Sequence, residues 1–241
     1  MGLLALTVVS VLQLSVSDCL WCEHDLVQRV PDFDNYLLTE YLLWSVHVML
    51  RVECSSRCFF DPHCHSFQVL KANSTCIGFA TGFADTGHIY SPLTPAPGYQ
   101  LFLLPRASHY IGSACTSDSD CHVATSVCND GVCTCLLGYI FSPRQHACIS
   151  DCSTWGNDLT RYFGYSVTGN DQDIIRNIYT EADCRVQCSN KDADASYICV
   201  SVEYSFSKES CYLAVLTFLQ VPPAARVDTN DSVQYQRSCA V

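Results

Sequence analysis

Residues 180–211 read TEADCRVQCSNKDADASYICVSVEYSFSKESC, and this stretch decides the fold. Thr180 and Asp183 form a capping-box-like pair, because a hydroxyl at the N-cap and a carboxylate three residues later satisfy free amide donors at a helix start. The stretch therefore predicts a short helix that begins at Thr180. Cys184 and Cys188 lie four residues apart, so both sulfurs fall on one face of that helix, one turn from each other.

A half-buried strand follows the helix after a polar turn. Between residues 200 and 206, apolar side chains alternate with serine and glutamate, which is the period of a strand with one buried face. Cys199 opens this strand and Cys211 follows it. Two thiols on the helix and two at the strand predict a clamp that fastens one helix to a sheet at two points.

The same cysteine spacing occurs twice in the chain. The intervals from the first cysteine to the second, from the second to the third and from the fourth to the fifth are identical in the two halves. Only the interval from the third to the fourth is longer in the second half, a difference that a loop tolerates. Ser66 and Ser201 also match. We therefore predict two copies of one domain. The matched cysteines are Cys22, Cys54, Cys58, Cys64 and Cys76 in the first half and Cys152, Cys184, Cys188, Cys199 and Cys211 in the second.

A helix that carries C-x3-C, a strand that begins C-x-(S/A)-F and a further cysteine resemble the PAN/apple family. The resemblance implies a small disulfide-rich α+β fold in which an antiparallel sheet surrounds one helix in each copy. The copies span residues 18–104 and 152–239, with the first lacking the terminal cysteine. The resemblance also implies the pairs Cys54–Cys76 and Cys58–Cys64 in the first copy, and Cys152–Cys239, Cys184–Cys211 and Cys188–Cys199 in the second.

The partner of Cys22 is left open by the sequence. The closing strands align so that Leu103 stands where the second copy has Cys239, and Cys22 then has no partner of the family kind. Either Cys19 closes a small loop with Cys22, or one of the two pairs with another chain. A redox-active pair is disfavoured at a mature N-terminus, because such pairs normally sit where a helix start lowers the thiol pKa.

Six cysteines between residues 115 and 148 form a separate module. Their spacing, with CTCLLGY at 133–139, resembles an EGF-like domain or the closely similar EB module. So small a domain needs its bridges to stay folded, because it buries little apolar surface. No acidic cluster precedes Cys115, so we predict no calcium site. The resemblance implies the pairs Cys115–Cys128, Cys121–Cys133 and Cys135–Cys148.

Two joints of unequal length connect the modules. Residues 105–114 (PRASHYIGSA) contain Pro, Gly and Ser without periodicity and predict a linker that permits swing. Only residues 149–151 lie between the middle module and Cys152. So short a connection predicts a nearly fixed orientation between the middle module and the second copy.

The composition points to an oxidising compartment. The chain has 18 cysteines in 241 residues, and the cytosol would keep them reduced. Residues 1–17 resemble a secretory signal peptide, with an apolar run and a small-x-small site before Asp18, although no Lys or Arg precedes the run. No later segment reads as a membrane span or a GPI signal, so we expect a secreted, soluble, extracellular product. The net charge of −11 disfavours nucleic acid and heparin as partners.

The residue patterns predict no enzyme, no metal and no cofactor. The sequence has no G-x-S-x-G elbow, no Gly-rich phosphate loop and no H-E-x-x-H. A zinc site at His63 and His65 is set aside, because Cys64 between them has a bridging role and the second copy is apolar at both histidine positions. Asn73 and Asn230 begin N-glycosylation sequons in polar stretches that we expect to be loops.

The PAN/apple resemblance implies a non-catalytic recognition or adhesion protein that binds an extracellular protein or glycan. We expect the contact surface on residues 189–198 (SNKDADASYI), which read as a polar loop. The alternative is a structural subunit of a matrix or mucus, joined to other chains in a disulfide-linked oligomer through Cys19 or Cys22. A protease inhibitor or venom component is disfavoured, because no recognisable reactive loop is present.

Overall fold

The structure is a computed structural model that describes residues 27–84, 93–193 and 197–240. The expected signal peptide, Cys19 and Cys22 lie outside the described residues. Within those ranges the chain is disulfide-rich and mostly β, with two short α-helices. Neither helix is long and apolar enough to cross a membrane.

The first unit is a five-stranded antiparallel sheet with one helix packed on it. Its strands are β1 (Gln28–Val30), β3 (Leu42–His47), β4 (Ser66–Leu70), β5 (Thr75–Phe79) and β7 (Tyr99–Leu103), and a small side sheet pairs β2 (Tyr36–Leu37) with β6 (Thr94–Pro95). The strand order in the main sheet is β1-β7-β4-β5-β3. Helix α1 (Arg51–Phe60) faces the sheet with Cys54 and Cys58, which are fully buried.

The second unit repeats this arrangement. Its strands are β12 (Trp155–Val167), β13 (Asp173–Arg176), β14 (Ser201–Ser205), β15 (Ser210–Ala214) and β16 (Arg226–Cys239), and its helix is α2 (Glu181–Ala193). The strand order is β12-β16-β14-β15-β13. In both sheets the first strand of the unit pairs with the last, the last pairs with the strand after the helix, and the strand before the helix forms the far edge.

The register of the two sheets corrects one alignment made from sequence. Ser66 lies opposite Leu103 in the first sheet, whereas its match Ser201 lies opposite Gln236 in the second. Leu103 therefore corresponds to Gln236 rather than to Cys239. The predicted alignment matches Tyr99-Gln100 with Tyr235-Gln236. It was wrong, because similar residues in the closing strands do not fix where each strand pairs with its neighbour.

Counting on from this register, Arg106 takes the place that Cys239 holds in the second unit. Its guanidinium donates to the backbone carbonyls of Cys64 at 2.8 Å and Asp61 at 2.7 Å, and also to that of Cys58. In the first unit, charge-assisted hydrogen bonds from Arg106 thus tie the end of the closing strand to the loop after the helix.

The middle module consists of two hairpins. One pairs β8 (Ser126–Asn129) with β9 (Val132–Cys135), and the other pairs β10 (Ile140–Ser142) with β11 (Ala147–Ile149). Asp130 and Gly131 form the turn of the first hairpin, and both have positive φ, as a tight two-residue hairpin turn requires.

Eight disulfides lie within the described residues, and each helix carries two of them: one ends in a strand of the sheet and the other in the connection just before the next strand. The pairs are the ones that the family resemblances imply. They are Cys54–Cys76, Cys58–Cys64, Cys115–Cys128, Cys121–Cys133, Cys135–Cys148, Cys152–Cys239, Cys184–Cys211 and Cys188–Cys199. The helix cysteines lie inside the apolar cores of the two units, so the bridges and the hydrophobic contacts fix the same helix face.

The segment at 105–114 does not behave as the swinging linker that its composition predicts. Ala107 and Ile111 are buried, and the Gly112 amide donates to the carbonyl of Cys133 in the middle module at 2.9 Å. The Ile111 carbonyl accepts from the amide of Gly82 in the first unit at 3.0 Å. The segment is therefore packed between two modules and holds them together.

Two local expectations also differ from the structure. The polar stretch at 189–198 begins inside α2, which continues to Ala193, because polar residues on a solvent-facing surface do not stop a helix. The apolar stretch at 36–52 predicts a strand and the inward face of a helix. It supplies strand β3, but Met49 and Leu50 at its end are exposed.

Candidate recognition surface

Two side-chain hydrogen bonds recur at matched positions of the two units. The Ser66 hydroxyl donates to the carbonyl of Thr81 at 2.7 Å, and the Ser201 hydroxyl donates to that of Leu216 at 2.7 Å. In both cases the acceptor lies 15 residues further along the chain. The matched serines therefore hold the segment that leaves each hairpin, and this accounts for their shared position in the sequence.

At a second matched position, a buried side chain accepts a hydrogen bond from a backbone amide in an earlier part of its unit. Gln68 is buried and its side-chain oxygen accepts from the Leu38 amide at 3.0 Å. Its counterpart Glu203 is also buried and accepts from the Val167 amide at 2.8 Å. Because a buried carboxylate needs several donors, Glu203 also accepts from the hydroxyls of Ser166 and Ser232.

An exposed aromatic surface lies on the β12 side of the second unit, and we call Arg161, Phe163 and Phe206 the aromatic edge. Phe163 is 49% exposed and Phe206 is 39% exposed, and their ring centroids lie 6.3 Å apart. The Arg161 guanidinium lies 5.5 Å from the Phe163 centroid. Tyr204 supports the surface from below, with its buried ring edge-on to Phe206 at 5.3 Å.

A β-bulge places Phe163 in this position. The pairing of β12 with β16 shifts register between Phe163 and Tyr165, and Gly164 between them has φ of +88°. Such a bulge bends the strand and increases its twist, and glycine adopts this φ without the steric cost of a side chain. The bend directly follows Phe163, whose ring is exposed, whereas the preceding residue Tyr162 is buried.

Arg161 is fixed by an ion pair rather than free in solvent. Its Nε and Nη2 donate to the two carboxylate oxygens of Glu181 at 2.9 and 3.0 Å, and the Tyr235 hydroxyl also donates to Glu181. Burial works to raise the pKa of Glu181, but the hydrogen bonds from Arg161 and Tyr235 outweigh it, so this pKa is lowered. Glu181 also begins α2, where a negative charge complements the helix dipole. The guanidinium is thus pre-positioned beside the Phe163 ring.

The histidines considered as zinc ligands lie instead in a stack between the first unit and the middle module. His65 stacks on Tyr110 with centroids 3.7 Å apart, and His63 stacks on His146 at 4.7 Å. Ring nitrogens of His63 and His65 face backbone carbonyls, and that of His146 lies 3.0 Å from the Tyr110 hydroxyl. Burial, aided by the positive charge of Arg106, lowers the pKa of His65 to about 4. These rings act as packing groups at a junction.

A polar seam joins the first unit to the second. The Tyr41 and Ser238 hydroxyls are hydrogen-bonded at 3.1 Å, and Arg185 of α2 lies 3.9 Å from the buried carboxylate of Glu40. Asp158 of β12 faces the same turn. Burial, and then the negative charge of Glu40, raise the pKa of Asp158 to about 7. The seam therefore carries a carboxyl group that changes charge near neutral pH.

We expect the contribution of Asp158 to stability to be lost as the pH rises from about 4 to about 7, because the folded state holds the Asp158 proton more tightly than the unfolded chain does. Asp158→Asn removes this charge, so the variant should exceed the wild type by roughly 4 kcal/mol in free energy of unfolding at pH 8 and by little at pH 4. Urea unfolding across this pH range measures the difference.

The matched control for this prediction is Asp228→Asn, which removes a carboxylate from an exposed position on the neighbouring strand β16. This variant should follow the wild type at every pH. A difference between Asp158→Asn and the wild type that stays constant from pH 4 to pH 8 would contradict the assignment of the effect to ionisation.

The contact surface expected at residues 189–198 is only partly a loop. Lys191 of α2 pairs with Asp173 at 2.7 Å, and Ile198 is exposed. Sequence reasoning missed the aromatic edge, because it placed Phe206 in the buried row of the strand and did not single out Phe163. Their spatial proximity depends on the pairing of β16 with both β12 and β14, and no local sequence pattern predicts this pairing.

The fold defines a class of small, disulfide-rich, mostly β modules. Residues 148–239 match the family model of the PAN domain, and residues 104–148 match that of the EB module. The EB match begins at residue 104 and so includes the whole segment 105–114 that composition alone assigns to a linker. No curated protein matches the chain.

A solved structure with an alignment over most of the chain is that of the two N-terminal apple domains of Toxoplasma gondii microneme protein 4. Its sequence identity to this chain is 13%, the alignment covers 89% of this chain and 91% of that one, and the TM-score is 0.25.

Proposed function

We propose that this protein is an extracellular, non-catalytic recognition protein that binds a protein or carbohydrate ligand through its second unit. The observation that carries the proposal is the aromatic edge. It places two exposed phenylalanine rings beside a pre-positioned arginine, in a unit that matches the PAN domain model. Modules of this family are typically binding modules, and eight disulfides support an extracellular location.

The chemistry of the aromatic edge suits both ligand classes. Aromatic residues and arginine are enriched among the residues that dominate protein interfaces, and exposed ring faces also pack on the apolar faces of sugars. The guanidinium is already paired with Glu181, so it does not offer a free positive charge to an anion. A neutral sugar or a protein surface is therefore favoured over heparin.

We further propose that the first unit is a divergent copy of the same domain. Support comes from the shared strand order and from the recurrence of the serine and Gln/Glu hydrogen bonds at matched positions. In this copy Arg106 replaces the terminal cysteine. Its closing strand is held to the core by hydrogen bonds instead of a disulfide.

Glycosylation at Asn73 and Asn230 belongs to the same proposal. Both asparagines are exposed, and the Thr75 hydroxyl of the first sequon lies 2.6 Å from the Asn73 side-chain oxygen. Asn230 lies on β16 beside Asp231, whose backbone carbonyl accepts from the Phe206 amide at 2.8 Å. A glycan on Asn230 would therefore border the aromatic edge.

The proposal predicts that Phe163→Ser with Phe206→Ser weakens ligand binding at least about tenfold, because the variant removes both ring surfaces that a ligand would cover. The mature chain, produced in a eukaryotic secretory host, is screened on a glycan array and against arrayed extracellular proteins. The affinity of each hit is then measured for the wild type and the variant. A disulfide peptide map verifies that both proteins have the same bridges.

The matched control is Ile174→Ser, which removes an apolar side chain of similar exposure from β13 at the opposite edge of the same sheet. It should bind as the wild type does. The proposal fails if no ligand is found on either array, or if the double serine variant binds as tightly as the Ile174 control.

A further inference from the structure

The outer face of α1 carries large apolar side chains that the described residues of the first unit leave exposed. Phe60 is 80% exposed, Met49 76% and Leu50 60%, and Phe59 and Val52 also rank among the exposed large hydrophobic residues. Val52 and Phe59 are two helical turns apart and Phe60 follows directly, so they share the side of α1 opposite the buried Cys54 and Cys58. We call Met49, Leu50, Val52, Phe59 and Phe60 the α1 face.

The fold itself does not require an apolar surface here. The cysteine register matches Phe59 with Ser189 and Phe60 with Asn190 of α2, and both α2 residues are exposed and polar. The second unit thus builds the same clamp with polar residues at these two positions. A contiguous exposed apolar patch on a soluble protein commonly marks an interaction surface when five large side chains contribute to it.

The distribution of side chains along α1 is self-complementary. Large apolar residues occupy both ends of the helix, and the small residues Ser55 and Ser56 lie midway between them. If two copies cross antiparallel at the serines, Val52 of each copy lies opposite Phe59 of the other. The small central side chains let the helix axes approach closely, and the large ends fill the spaces on either side.

The charges along the same helix fit the same arrangement. Glu53 and Arg57 are both exposed and lie one turn apart, and the Arg57 guanidinium is held over the Trp44 ring at 5.0 Å. In an antiparallel crossing at the serines, Glu53 of each copy comes beside Arg57 of the other. A two-fold axis therefore creates two opposite-charge contacts, as expected for an isologous interface.

We infer that two copies of this protein associate through their α1 faces, as an antiparallel helix pair with a two-fold axis at Ser55 and Ser56. The face comprises one ten-residue helix and the two residues before it, so we expect a small interface and a weak, reversible association. The net charge of −11 opposes binding of this face to an anionic membrane. The inference does not depend on the proposed ligand, but a dimer would present two aromatic edges and so raise avidity.

Sedimentation velocity of the mature chain tests the inference, over about 1–100 µM because an interface of this size is expected to be weak. The wild type should pass from monomer to dimer with concentration. The dimer should dissociate in a non-reducing denaturing gel, because no disulfide links the two helices.

Phe59→Ser with Phe60→Asn, the residues found in α2, should raise the dimer dissociation constant at least about tenfold. Leu136→Ser, which changes an exposed apolar residue of the middle module, should leave the constant unchanged.

A charge reversal tests the orientation of the helices separately. Glu53→Arg should weaken the dimer, and addition of Arg57→Glu should restore it, because the two reversed charges again face each other across the axis. A wild type that remains monomeric at every concentration would overturn the inference, and so would a Phe59 and Phe60 variant that still dimerises. A dimer that survives the denaturing gel without reductant would also overturn it. The same holds for a double charge reversal that does not restore the dimer. A ligand-binding failure of the aromatic edge would leave these results unaffected.

Discussion

Replacement of Cys152 and Cys239 by alanine should lower the free energy of unfolding by about 4.5 kcal/mol, because the bridge closes a long loop and restricts the unfolded chain accordingly. The two cysteines are 87 residues apart in sequence, the largest separation among the eight bridges of the described residues. They connect the start of the second unit to the end of β16. A loss of this size is a large fraction of the total stability of a domain, and urea unfolding without reductant measures it.

Cys58 and Cys64, replaced together by alanine, provide the control. Their bridge spans a sequence separation of only 6, and the same loop-entropy relation gives a loss of about 2.5 kcal/mol. Peptide mapping must show that the remaining bridges are unchanged in both variants. Equal losses in the two variants would mean that loop length does not govern the contribution of these bridges.

Acid should weaken the junction between the first unit and the middle module through His65. The pKa of this histidine is lowered to about 4 from an ordinary value of 6.5, so the folded state disfavours the proton that the unfolded chain accepts. The contribution of neutral His65 to stability is therefore fully present above pH 6.5 and is lost as the pH falls from 6.5 to about 4. The loss amounts to about 3 kcal/mol.

His65→Val places at this position the residue found at its counterpart, Val200, and removes the titrating group. The variant should lose stability at neutral pH, because the stack on Tyr110 is gone. It should lack the acid-dependent loss between pH 6.5 and 4. The other ionisable groups around His65 are unchanged in the variant. They are His63, Arg106, Tyr110 and His146.

The control for this prediction is His47→Val, which removes an exposed histidine from β3. Its stability should follow the wild type across the pH range. Urea midpoints at pH 7.5, 6, 5 and 4 compare the three proteins. A His65→Val variant that loses stability toward acid as steeply as the wild type would contradict the role of His65.

The internal organisation of each unit was largely predictable. Cys184 and Cys188 on one helix face, followed by an alternating strand between Cys199 and Cys211, allow few arrangements besides a helix clamped to a sheet. The end of the helix was not predictable. Residues 189–193 are as compatible with a solvated helix face as with a polar loop, and only the structure shows that α2 continues through them.

The relations between the modules were not predictable from local patterns. Residues 105–114 have the composition of a linker, yet Ala107 and Ile111 are buried by side chains that come from other parts of the chain. Leu103 was matched to Cys239 for a similar reason: cysteine spacing fixes the helix and its hairpin, but the position of the last strand depends on its hydrogen bonds to β4 and β1.

The sequence by itself determined the disulfide-clamped units, the small module between them and the acidic character of the chain, because these follow from residue spacing and composition along one segment at a time. Only the tertiary structure decided where Phe163 meets Phe206, how Asp158 meets Glu40 across the seam, and that Arg106 ties the end of a closing strand to the loop after α1. Each of these depends on contacts between residues far apart in the chain. Such contacts arise when sheets and modules pack, and the packing is a property of the whole fold.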